Sequence, residues 1–115
     1  MTKHEQLTEL IQELKKNSIE NNVKIWKRVA SDLEKPTRNA RTVNIFKIEK
    51  YAKANETIIV PGKVLGTGEL TKKVKVAAFN FSDSAFKKIN EKGEVLTIKE
   101  LLKINPKGKK VRILG

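Results

Sequence analysis

The stretch TIIVPGKVLGTGELTKKVKVAAFNFS, residues 57–82, decides how this chain folds. Thr57-Ile58-Ile59-Val60 is a β-branched run too short for a helix, and it predicts a short buried strand closed by Pro61-Gly62. Lys63 to Leu70 is punctuated by Gly66 and Gly68 and reads as a turn region. From Lys73 to Phe81 the pattern changes to alternation: Val74, Val76 and Ala78 face one way, Lys73 and Lys75 the other, as in a half-buried strand. Ser82 then caps a helix with Asp83 in its first turn, Ala85, Phe86 and Ile89 as its stripe, and Gly93 as its stop.

Downstream, Val95-Leu96 reads as a short strand, and Thr97 with Glu100 makes a capping box for a brief helix carrying Leu101 and Leu102. Pro106 and Gly108 break the chain before a last strand at Val111-Arg112-Ile113-Leu114. Upstream, Asn44 is placed to cap a helix through about Ala54, with Ile45, Ile48, Tyr51 and Ala52 on its apolar side. Two more helices precede it. The first opens on a Thr2/Glu5 capping box, carries Leu7, Leu10, Ile11 and Leu14, and breaks at Asn17 or Ser18. The second runs from about Asn22 to Glu34 with Val23, Trp26, Ala30 and Leu33 buried, and Pro36 ends it. The expectation is one α/β domain over 1–115, a compact mixture of short strands and helices. Its parts are a helical N-terminal part at 1–34, a basic connector at 35–42 and a mixed core at 43–115.

Charge points to a partner. Twenty-five Lys and Arg face 13 Asp and Glu, for a net +12. Such an excess repels itself and attracts polyanions. It is uneven: residues 1–34 balance at zero, 35–53 carry +5, 54–82 carry +2 and 83–115 carry +5. A polyanion site therefore belongs after residue 34. In the connector, a polyproline-like path from Pro36 has three residues per turn and aligns Lys35, Arg38 and Arg41 in one row. Lys63, Lys72, Lys73 and Lys75 gather around the central turn, and Lys107, Lys109, Lys110 and Arg112 near the last strand. Lysine outnumbers arginine 21 to four. A lysine is a point charge on phosphate and reads no base by itself. Aromatics are 5% of the chain and mostly fall on apolar stripes, which favours recognition of RNA backbone and shape over base stacking.

Catalytic and cofactor chemistry finds little support. There is no cysteine and one histidine, His4, so no zinc cluster or Cys–His pair can form. Gly66-Thr67-Gly68 lacks the third glycine of a dinucleotide loop, because Thr71 stands there. Gly62-Lys63 lacks the rest of a phosphate-binding loop: Glu56 or Thr57 stands where the first glycine is needed, and Val64 where a hydroxyl residue is. Ser82-Asp83-Ser84 has no local base. We expect no catalytic residue, no cofactor and no metal. No apolar run approaches the roughly 18 residues of a membrane span, so a cytoplasmic protein is expected.

Pro61-Gly62-Lys63-Val64-Leu65-Gly66 with Gly68, then Val74 to Ala78, Ser82 and Ala85, resembles the large-subunit ribosomal protein family L eighteen e of archaea and eukaryotes. Trp26 through Leu33, Lys35-Pro36 and Val43-Asn44 match it too, and the length resembles the archaeal form. The resemblance implies the α/β fold shared with bacterial ribosomal protein L fifteen, with irregular β-β-α turns. It also implies a non-enzymatic, structural role on large-subunit ribosomal RNA in the cytoplasmic ribosome, beside neighbouring ribosomal proteins. Membrane attachment and homo-oligomerisation are not expected. A free RNA-binding or RNA-chaperone protein is the alternative.

Overall fold

The computed structural model describes residues 2–35 and 42–115. At its centre lies the strand that opens the deciding stretch. β2 (Thr57–Leu65) is flanked on one side by β3 (Lys75–Phe81), which in turn pairs with β4 (Glu94–Thr97). Two short strands share its other edge. β5 (Val111–Ile113) lies along Thr57–Ile59, and β1 (Thr42–Asn44) along Lys63–Leu65. Every pairing among the described residues is parallel. A parallel sheet needs cover on both faces. Here α3 (Ile45–Tyr51) and α4 (Asp83–Lys92) cover one. The other is covered by α1 (Lys3–Asn21), α2 (Lys24–Glu34) and α5 (Ile98–Ile104).

The alternation in β3 sorts the core. Val76 and Ala78 join Ile58, Val60, Ile48 and Ile89 in one apolar cluster. Ala77 and Ile59 join Leu14, Trp26, Leu33 and Leu101 in the other. Each fully buried Leu or Ile contributes about 1.5–3 kcal/mol relative to an exposed one. The mixed α/β class with a helical N-terminal segment is therefore as the sequence implies.

Several boundaries differ, each for a physical reason. α1 does not break at Asn17 or Ser18. Asn21 donates to Asn17, and the helix runs to a left-handed cap at Asn22 where Val23 N–H reaches the Ser18 carbonyl. Consequently α2 starts at Lys24, two residues later than expected. β2 passes through Pro61-Gly62, because a bulge between Val60 and Lys63 absorbs the proline that cannot donate. No sequence signal marks β1 as a strand. α3 stops at Tyr51, short of Ala54, and its Asn44 N-cap makes no side-chain bond. The Phe46 N–H that such a bond would have served donates instead to the Thr67 carbonyl, 2.9 Å away. Both capping boxes, Thr2/Glu5 and Thr97/Glu100, form as read, and Ser82 accepts from Ala85 N–H at 3.1 Å.

Candidate nucleic-acid interface

Strand register brings together cations that lie far apart in the sequence. Lys75 and Val111 stand level with Thr57, and Glu94 stands level with Lys75, all at the end of the sheet where β2 to β5 begin. Lys110 directly precedes Val111. Lys73 is joined to the same end, its carbonyl accepting from Asn55 N–H. Lys73 and Lys75 of the central group thus converge with the C-terminal lysines on one end of the sheet. Lys73, Lys107, Lys109 and Lys110 are exposed there and carry no carboxylate partner among the described residues.

α2 adds to this end. Gly108 has φ +62 and sits where a Cβ would lie 2.7 Å from Ile25. Trp26 Nε1 donates to the Pro106 carbonyl at 2.7 Å. The turn after α5 is thereby pinned to the start of α2, and Lys24 and Arg28 flank β5 across a shallow groove with Val111 and Ile113. The zero balance of residues 1–34 hides both cations from a reading of whole segments. A narrower charge window finds them, since Lys24, Lys27 and Arg28 follow Glu5, Glu9, Glu13 and Glu20.

Other candidates are engaged. Lys72 Nζ donates to the carbonyls of Glu49 (2.7 Å) and Ala52 (2.8 Å), closing the C-terminal end of α3. Lys88, which no sequence pattern singles out, donates to the Gly66 and Gly68 carbonyls at 2.6 and 2.7 Å and fixes the glycine turn. Lys75 faces Glu94 at 3.9 Å across neighbouring strands. Arg112 Nε binds Glu56 at 2.9 Å. That hydrogen bond holds the Glu56 carboxyl below its usual range, against the opposing effect of burial, with Lys53 adding to the lowering. The Glu49 carboxyl is lowered as well, chiefly by the Thr71 hydroxyl and backbone N–H. Lys63 lies away from the basic end, opposite Thr42 and Asn80 in the register. Lys35 ends α2 and bonds Asp32 at 3.2 Å. Arg38, Arg41 and the row expected of them with Lys35 fall outside the described residues.

Aromatic placement needs correction. The apolar stripes expected from sequence include Phe86 and Tyr51, but each is half exposed, and Phe46 is more exposed still. Ala85 with Ile89, and Ile45 with Ile48, already fill the inward arc of these short helices. Trp26, by contrast, is fully buried as expected. No helix among the described residues is long and apolar enough to cross a membrane.

Comparison with known proteins follows the same direction. The profile of a ribosomal protein family, described as 50S-L15, 50S-L18e and the 60S protein L twenty-seven A, matches residues 5–97. A large ribosomal subunit protein eL18 from Methanoregula boonei is 57% identical over 109 residues, covering 94% of this chain and 90% of the relative. The protein of that name from Archaeoglobus fulgidus is 54% identical, with 94% and 93% covered. That from Methanococcus maripaludis is 47% identical, with 100% and 97% covered.

Proposed function

This chain belongs to the ribosomal protein family of 50S-L15, 50S-L18e and the 60S protein L twenty-seven A, and from that premise we propose how it serves the large ribosomal subunit. It is a structural constituent of that subunit, with no catalytic step of its own. It holds ribosomal RNA by neutralising phosphates. The contacts come first from Lys73, Lys107, Lys109 and Lys110 at the basic end of the sheet, flanked by Lys24 and Arg28, with Lys63, Lys35, Arg38 and Arg41 as further contacts. Lys75 and Arg112 add charge while bound to carboxylates, and Lys72 keeps a third N–H for phosphate while closing α3. The observation that supports this most is the convergence of lysines from two distant segments, without carboxylate partners among the described residues, on one end of a rigid sheet.

Cations on a preformed backbone meet a folded RNA with only their side chains left to order on binding. Each phosphate neutralised releases counterions, so log affinity should fall with log salt by about 0.7 to 0.9 per contact. The test is sedimentation of tagged protein from a gentle lysate, with and without a high-salt wash. Near-stoichiometric comigration with the large subunit through moderate salt is expected, with the protein shed only as the wash salt rises further. Slow sedimentation, or release in moderate salt, would replace this reading by that of a free RNA-binding protein.

A further inference from the structure

The helix α1 departs from the cationic pattern. Glu5, Glu9 and Glu13 recur every four residues and so share one side of it. Beside them a groove of about 360 Å³ runs between α1, the end of β3 and the start of α5. Leu7, Leu10, Phe79 and Ile98 give it apolar walls, and Glu9 and Glu13 stand along its rim. Lys99 closes one part of that rim, 3.9 Å from Glu13. Phe79 keeps 38% of its surface open here, although it belongs to a central strand.

The backbone beside the groove is also incomplete. β3 pairs with β4 only as far as Ala78 opposite Thr97, because the chain turns into α5 at Ile98. Phe79, Asn80 and Phe81 continue for three residues, with Asn80 and Phe81 level with Lys63 and Val64 of β2. On their other side no strand among the described residues lies against them. Phe81 N–H is taken by the Asn80 side chain, so the strand ends here with its own side chain closing the ladder.

Carboxylates along the rim repel phosphate, so RNA is the wrong occupant. Apolar walls beside carboxylates suit a peptide that carries both an apolar and a cationic side chain. We propose that this groove receives an extended segment of a neighbouring protein, an apolar side chain flanked by lysine or arginine. The apolar side chain fills the space above Leu10 and Phe79, and the cations meet Glu9 and Glu13. This rests on the reading that the chain sits in a large subunit among other proteins, and it assigns the face turned to one of them.

The test uses purified large subunits carrying the full chain with a photoreactive benzoylphenylalanine at Phe79 or, separately, at Lys73. At Phe79 the expected product resists ribonuclease, is lost to protease, and maps to an apolar segment flanked by Lys or Arg. Glu9→Lys should cut that product by about fivefold, the scale of one accessible ion pair, and leave the Lys73 product unchanged. Crosslinking of Phe79 to RNA would overturn the proposal. So would a protein segment without flanking cations, or no product at Phe79 while Lys73 labels RNA. Loss of the RNA product at Lys73 counts against the phosphate-binding reading alone, so the two fail separately.

Discussion

Two cation-bearing turns of this molecule are held in opposite ways. The turn at 66–73 is fixed by lysines: Lys88 binds the Gly66 and Gly68 carbonyls, and Lys72 binds those of Glu49 and Ala52. The turn at 105–110 is fixed by neutral groups. Trp26 binds the Pro106 carbonyl, and the Asn105 side chain both donates to the Lys109 carbonyl and accepts from its N–H. In the first turn the Lys72 and Lys88 ammonium groups face inward onto backbone and Lys73 stays exposed; in the second Lys107, Lys109 and Lys110 are left exposed. A lysine is free for phosphate only where something else satisfies the carbonyls, so counting charges in a segment does not measure its grip on RNA.

The contrast can be broken most severely at Trp26. Trp26→Ala removes a fully buried indole and the anchor of the second turn, and should cost about 3–5 kcal/mol in urea unfolding. Trp26→Phe, which keeps most of the bulk, should cost about 1–3 kcal/mol through the orphaned Pro106 carbonyl. It should also weaken RNA binding with no change of charge. Next comes Lys88→Met, expected to lose about 1–3 kcal/mol as two turn carbonyls lose their donor. Its salt dependence of RNA binding should stay as in the parent; a reduced slope would show Lys88 to be a phosphate contact.

Replacing Lys107, Lys109 and Lys110 together by Gln should do the reverse. Stability should move by no more than about 0.5 kcal/mol per site, while the log–log salt slope should shrink by about 2. An unchanged slope would remove this turn from the interface. The smallest effect is at Glu56. Its carboxyl titrates below the usual 4.5 because of Arg112, so its contribution is present above that value and lost as pH falls through the lowered one. Glu56→Gln should flatten the fall of melting temperature between about pH 5 and 3, leaving neutral-pH RNA binding nearly unaltered.

Elements with a local chemical cause are readable in the sequence. Alternation at Val74, Val76 and Ala78 identifies β3, and the Thr2/Glu5 and Thr97/Glu100 boxes locate two helix starts. What requires the assembled fold stays hidden. β1 is three residues long and becomes a strand only because β2 offers it an edge. Pro61 reads as a stop because the bulge that accommodates it is a property of the pair β2–β3, not of one strand. For the interface, the lysine clusters are visible, but their convergence depends on parallel register. Lys72 looks like its neighbour Lys73, and only the position of the α3 carbonyls separates them. Lys24 and Arg28 are concealed by averaging with the glutamates of α1.

The shared edge of β2 carries a consequence for the order in which the chain can fold. Its second half is met by β1, only about twenty residues upstream, whereas its first half waits for β5, 54 residues downstream of Thr57. During synthesis Thr57-Ile58-Ile59 is thus an apolar parallel edge left bare until β5 emerges, when Leu114 N–H also closes onto the Ile59 carbonyl. Late, long-range closure of this kind slows folding and leaves an aggregation-prone intermediate. The nascent protein therefore has a window of vulnerability whose length is set by the translation of residues 66–113.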